Sequence, residues 1–75
     1  MSDMKYLLIA YRYGTTEYTY PVGIFDTKEK SIETAKAHRE FRGGKYDHKV
    51  FEVEVGTLYD AEECKGVWVT GRNHE

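Results

Sequence analysis

The sequence has a single cysteine, a single proline and no long apolar run. Cys64 cannot form an internal disulfide, and three scattered histidines, His38, His48 and His74, lack the paired spacing of a structural zinc site. The apolar stretch at residues 6–11 is too short for a signal-peptide core or a membrane span. These absences predict a cytoplasmic protein without metal, cofactor or membrane contact.

A chain of 75 residues is expected to form one domain, here residues 1–75 with frayed ends at 1–4 and 71–75. A domain of this size buries only about 60% of its unfolded surface. Below roughly 70–80 residues a fold usually needs disulfides, a metal or a partner subunit. Since the first two are missing, we expect self-association into a homodimer or higher oligomer, with a marginally stable monomer as the alternative.

The net charge of −2 argues against a dedicated nucleic-acid binder. The charge is distributed unevenly, because residues 28–49 hold seven basic and four acidic side chains, whereas residues 50–75 hold two and six. Solvated surface is the ordinary explanation of such runs. One basic and one acidic face is the alternative.

The first third of the chain predicts an antiparallel hairpin. Residues 5–13 are apolar or aromatic on both alternating faces near their start, as in a central strand that is covered on two sides. Residues 14–16 form a turn cluster, and residues 17–25 alternate with a period of two. Pro21 lacks an N–H and is therefore predicted at a sheet edge, a bulge or a bend.

A helix is predicted from residue 27 or 28 to residue 42. Asp26 or Thr27 can accept a free backbone N–H at its start, and Gly43 can end it in the left-handed conformation. The helix is mostly polar. We expect Ile32 to face the sheet and Phe41 to fold back at the frayed end.

The last third predicts a loop over residues 45–48 and a third strand over 49–55. In that strand Phe51 and Val53 point one way, while Val50 points the other way together with two glutamates. A short helical turn after residue 57 and a fourth strand over 66–70 complete the chain. The β-β-α-β-β order predicts an α+β fold, with an antiparallel or mixed sheet of three to four strands and one main helix packed on one face.

The segment at residues 22–30, VGIFDTKEK, joins the second strand to the helix. Together with the Tyr-rich strand before it, this segment resembles a pattern in small uncharacterised bacterial and bacteriophage proteins of β-β-α-β type. The resemblance covers residues 5–55. It implies a β-β-α-β fold and a phage or mobile-element setting, and it supplies no activity and no functional residues.

The sequence offers no set of catalytic or metal-binding residues. Cys64 follows two glutamates, whose charge disfavours a reactive thiolate. Glu52 and Glu54 share a strand face on which nothing indicates a pocket, so we expect that face to be solvent-exposed. Asp47 and His48 would supply at most two metal ligands. We therefore expect a protein that is not an enzyme.

Tyrosine is the residue in excess, with seven in 75 residues. Five of the seven lie in the first hairpin, and one polar helix cannot cover them all. Tyr and Arg carry much of the binding energy at protein interfaces, whereas cross-strand Tyr pairs that only stabilise the sheet are the alternative. The predicted binding surface consists of these hairpin residues: Tyr11, Arg12, Tyr13, Tyr18 and Tyr20.

We expect a non-enzymatic macromolecule-binding protein whose partner is a protein. Its most concrete form is a phage-encoded modulator or inhibitor of a host protein, acting in the host cytoplasm. The alternative is a nucleic-acid-binding accessory protein, in which aromatic and basic side chains of the stretch 36–49 contact bases and phosphates. That alternative surface consists of Lys36, Arg39, Arg42, Lys45, Tyr46 and Lys49.

Overall fold

The computed structural model describes residues 4–12, 18–60 and 66–70. Its elements, in chain order, are β1 (Met4–Arg12), β2 (Tyr20–Phe25), α1 (Lys28–Phe41), β3 (Tyr46–Glu54) and β4 (Val67–Thr70). The strands form one antiparallel sheet in the order β2-β1-β3-β4, and α1 contacts every strand. The predicted α+β fold with one helix on a sheet is confirmed.

The pairing of β1 with β3 runs without a register shift from Met4 opposite Glu54 to Arg12 opposite Tyr46. Because successive side chains of a strand point to opposite faces, this register assigns each residue to a face. Leu8, opposite Val50, lies on the face that α1 covers.

The edge strand β2 contains Pro21, as its missing N–H predicts. Pro21 pairs with Ile9, next to the register irregularity between Leu8 and Ile9. The second strand of the hairpin is shorter than the predicted range of residues 17–25, since β2 begins at Tyr20. Residues 13–17, which include the predicted turn, lie outside the described part of the chain.

The helix begins and ends where its caps predict. Thr27 Oγ1 accepts a hydrogen bond from the backbone N–H of Lys30 at 3.1 Å, and this satisfies one of the free donors of the first turn. After Phe41, Gly43 and Gly44 take positive φ values of 67° and 76°, which glycine adopts without a Cβ clash.

The core lies between α1 and one face of the sheet. Leu8, Ala35, Val50 and Val69 are buried at its centre, and Ile32 packs against them as predicted. The prediction for Phe41 is wrong, because its side chain is 81% exposed. Phe41 follows Ile32 by nine residues, which at 100° per residue places it on the opposite side of the helix.

The predicted loop at residues 45–48 is also wrong, since β3 already begins at Tyr46. Tyr46, Asp47 and His48 are 7%, 4% and 0% exposed. Their polar character suggested a loop, but pairing with β1 holds all three inside the sheet, and His48 is also held by side-chain hydrogen bonds. No helical turn follows Thr57 over residues 57–60, and residues 61–65 lie outside the described part.

Candidate functional site

The face of the sheet opposite α1 has no second layer formed by the described residues. Strand alternation nevertheless places apolar and aromatic side chains on it. Leu7 pairs with Phe51 on one side and with Ile24 on the other, and Ile24 is 65% exposed. We define the open face by these residues: Lys5, Leu7, Ile9, Tyr11, Ile24, Asp47, Lys49, Phe51, Val53 and Trp68.

Lys49 lies at the centre of the open face, over three aromatic rings. Its Nζ is 4.8 Å from the ring centroid of Trp68, 5.7 Å from that of Tyr11 and 5.9 Å from that of Phe51. These distances are within the range of cation–π attraction. Tyr11 and Trp68 also meet edge to face at 5.3 Å, and burial raises the pKa of the Tyr11 phenol. The centre is therefore an aromatic patch that carries one positive charge.

Gly66 makes room for this aromatic patch. A Cβ atom on Gly66 would lie 2.7 Å from Cζ of Phe51 and 2.9 Å from Cδ of Lys49. Both distances are shorter than van der Waals contact, so a side chain at position 66 would require Phe51 and Lys49 to shift. The position of Phe51 and Lys49 on the open face thus depends on a residue that has no side chain.

A chain of hydrogen bonds crosses the other face, beneath α1. Tyr20 Oη lies 2.6 Å from His38 Nε2, and His38 Nδ1 lies 2.8 Å from His48 Nε2. His48 Nδ1 in turn lies 2.7 Å from Thr70 Oγ1. The four residues come from β2, α1, β3 and β4. This histidine chain, Tyr20-His38-His48-Thr70, therefore ties the helix to three strands.

Both histidines of the chain are neutral at pH 7. The pKa of His48 is lowered to about 4, mainly by burial and also by the nearby His38 and Arg39, while Asp47 opposes them. Burial, followed by the charge of Arg42, lowers the pKa of His38. A neutral imidazole has one donor and one acceptor, so all three hydrogen bonds must run in the same direction along the chain. A second proton on His48 would place a charge where burial disfavours it.

The structure divides the predicted hairpin surface between the two faces of the sheet. Tyr11 lies on the open face, whereas Tyr20 lies under α1 in the histidine chain. The guanidinium of Arg12 stacks over the ring of Tyr18 at 5.1 Å, and Tyr18 is 52% exposed. Tyr13 lies outside the described residues. Among the members of the predicted set that the structure describes, only Tyr11 belongs to the open face.

The basic stretch is divided in the same way. Lys49 lies on the open face, while Tyr46 is buried on the helix side with the Arg42 guanidinium 5.7 Å from its ring centroid. Arg39 is half-buried, and its Nε has no hydrogen-bond partner. Lys36 and Lys45 are exposed. Lys49 is therefore separated from the rest of the stretch by the sheet itself.

The aliphatic members of the open face were missed by residue-type reasoning, which selected tyrosine and arginine. The signal that could have found them is the composition of β1. Leu7 and Ile9 on one face, and Leu8 and Ala10 on the other, predict cover on both sides, but the described part of the chain contains one helix. The pairing of His38 with His48 had no such signal, because no spacing rule links a helix to the strand that follows it.

Among residues 4–12, 18–60 and 66–70, no group of three or more His, Cys, Asp or Glu side chains could hold a metal ion. No helix in the same part of the chain is long and apolar enough to cross a membrane. The chain matches no protein-family model, and comparisons with curated proteins and with solved structures give no significant match. The resemblance of residues 5–55 to phage proteins therefore stays a prediction.

Proposed function

We propose that this protein is a non-enzymatic protein-binding module and that the open face is its docking surface. The observation that carries the proposal is the asymmetry of the sheet. One face is covered by α1, and the other presents the half-buried side chains of Leu7, Phe51 and Trp68 with no covering layer of described residues. Soluble monomers rarely expose contiguous apolar patches larger than a few hundred Å², so such a face is typical of an interface.

The composition of the open face supports a protein partner. Aromatic side chains dominate the buried centre of protein interfaces, and Tyr11, Phe51 and Trp68 form the centre here. Aliphatic residues surround them, and Ile24 is the most exposed of the group at 65%. The cationic side chains are already engaged, because Lys5 forms an ion pair with Asp26 and Lys49 lies over the rings. The face therefore favours apolar contact over salt-dependent attraction.

The narrower form of the proposal is a phage-encoded modulator or inhibitor that acts on a host protein in the host cytoplasm. Its support is the resemblance of residues 5–55 and the single unpaired cysteine, Cys64, which fits a reducing compartment. The proposed docking surface is therefore the open face instead of the five hairpin residues that the sequence predicted.

The test compares two exposed apolar residues on opposite layers of the molecule. Ile24→Asp puts a charge on the open face, and Phe41→Asp puts the same charge on α1, where the side chain is 81% exposed. Each tagged protein is expressed in the source cells, and a nuclease-treated native extract is separated by size. We expect wild type and Phe41→Asp to run in a complex larger than the free chain.

Ile24→Asp should lower the complexed fraction at least about tenfold, because a charge buried without a partner costs more than about 1.4 kcal/mol. Circular dichroism of the purified variants checks that both remain folded. Equal complex formation by Ile24→Asp and wild type would show that the open face is not the docking surface.

A second candidate function, binding of single-stranded nucleic acid, is favoured by one observation, the position of Lys49 among three aromatic rings. Aromatic side chains on an open surface stack with bases, and a nearby cation contacts phosphate. The net charge of −2 places this candidate second.

The second candidate is tested with a labelled oligonucleotide at about 50 and about 200 mM salt. If it holds, Lys49→Gln weakens binding and reduces the salt dependence, whereas Lys36→Gln on the helix layer does neither. Binding that does not change with salt, or that Lys49→Gln leaves intact, would count against it.

A further inference from the structure

We infer that the occupant of the open face is a second copy of this chain, so that two sheets pack face to face about a two-fold axis. The inference rests on the proposed function, since it names the partner of the same surface. Packed sheets lie about 10 Å apart with interdigitated side chains. In this arrangement Trp68 and Phe51 of each copy become buried.

The size of the sheet suits such a pair. β1 and β3 have nine residues each, β2 has six and β4 has four. At about 3.3 Å per residue and about 4.8 Å between strands, the sheet covers roughly 450 Å². Two copies therefore bury roughly 900 Å² if the sheets are treated as flat, without the added surface of protruding side chains. A specific interface should exceed about 1,000 Å², which is close to this value.

The small core explains why the chain gains from a second copy. In the described part of the chain the buried hydrophobic residues are Leu8, Ala10, Ala35, Tyr46, Val50 and Val69. Two of them are alanines, which contribute little apolar area. A domain of 75 residues with so small a core is marginal by itself. A second copy over Leu7 and Ile9 would give β1 the two-sided cover that its composition predicts.

The charges of the open face permit self-association. A two-fold interface brings the same patch of both copies together, so an excess of one sign would repel. Lys5 is neutralised by its ion pair with Asp26. Lys49 and Asp47 carry opposite charges two residues apart on the same side of β3. No net charge of the face therefore opposes a second copy.

The edges of the sheet argue for face-to-face packing over pairing of strands between copies. The β2 edge carries Pro21, which cannot donate a ladder hydrogen bond. The β4 edge is four residues long. A short strand and a proline are common devices that prevent edge-to-edge association.

Sedimentation equilibrium of the purified protein tests the inference over a range of about 1 to 200 μM. The expected mass is twice the 8.8 kDa of the chain for wild type and for Phe41→Asp. Ile24→Asp should weaken the dimer at least about tenfold, as a charge in an apolar interface does.

Trp68 provides an independent readout on unmodified protein, because it is the single tryptophan of the chain. Quenching of its fluorescence by acrylamide should increase severalfold when wild type is diluted through the dissociation midpoint. This measurement needs no variant and therefore holds even if Ile24→Asp fails to fold.

A purified wild type that stays monomeric, with quenching of Trp68 independent of concentration, overturns the inference. The proposed function survives that result if the complex in the extract still depends on Ile24. A dimer that Ile24→Asp leaves intact and Phe41→Asp removes places the contact on α1 and also overturns the inference. If neither the extract complex nor the purified dimer depends on Ile24, the proposed function fails as well.

Discussion

Leu7 and Leu8 are adjacent on β1 and have identical side chains, yet they lie on faces with opposite surroundings. Leu8 is 0% exposed beneath α1, while Leu7 is half-buried on the open face between Ile24 and Phe51. The helix has a narrow apolar stripe, centred on Ile32 and Ala35, and one such stripe covers one face. The other face carries apolar side chains without a covering layer of described residues.

The polar content of the two faces is the reverse of what their exposure would suggest. The covered face contains His48, which is 0% exposed, and its polar atoms are satisfied by His38 and Thr70. The open face has its aromatic rings around Lys49. A buried polar group is tolerated when it is hydrogen-bonded, and an apolar face in contact with water is typical of a binding surface. The comparison therefore separates a face that packs against the helix from one that we propose to be a docking surface.

Among the tests of the difference between the two faces, we expect the largest change in stability from substituting Leu7 or Leu8 by alanine. Leu8→Ala should lower the free energy of unfolding by about 2–5 kcal/mol, because it leaves a cavity under α1. Leu7→Ala should cost less in dilute protein, and its cost should grow with protein concentration if a second copy covers it. Urea unfolding at two protein concentrations measures both. Equal costs at every concentration would mean that the faces do not differ.

The second effect is a loss of stability in acid that originates on the covered face. The pKa of His48 is about 4 in the folded state, below the value of about 6.5 in an unfolded chain. The folded state therefore binds fewer protons, and the contribution is complete above pH 6.5. It is lost as the pH falls from 6.5 to 4, by on the order of 3 kcal/mol.

Urea unfolding at a series of pH values measures this loss. His48→Gln should flatten the profile between pH 6.5 and 4, although it lowers stability at pH 7. The other charged or titratable groups around His48 are His38 and Arg39 on α1 and Asp47 on β3, and these remain in the variant. A profile of His48→Gln as steep as that of wild type would assign the acid sensitivity to another group.

The smallest effect is expected from a methyl group at Gly66. Gly66→Ala should cost about 1–3 kcal/mol, because its Cβ overlaps Phe51 and the stem of Lys49. It should also change the emission of Trp68, which packs with Lys49. Gly44→Ala is the control, since its cost of about 1 kcal/mol comes from a positive φ. If both variants leave the emission unchanged, Gly66 does not shape the open face.

The alternation of side chains in β3 shows what a local sequence pattern can predict about a strand. The sequence separates Phe51 and Val53 from Val50, Glu52 and Glu54, and the structure keeps this division. The helix, however, covers the side of Val50, which is 3% exposed, while Phe51 lies on the open face. Glu52 is exposed although it lies on the helix side. A period of two defines two faces and does not state which one is inside.

The elements that depend on local chemistry were determined by the sequence. Alternating side chains define the strands, Thr27 and the glycines after Phe41 define the helix, and the order of elements defines the α+β class. The tertiary structure alone decided which face α1 covers, that residues 46–48 belong to β3, and that His38 meets His48. These outcomes depend on contacts between segments far apart in the chain, where the burial of one group is set by the position of another.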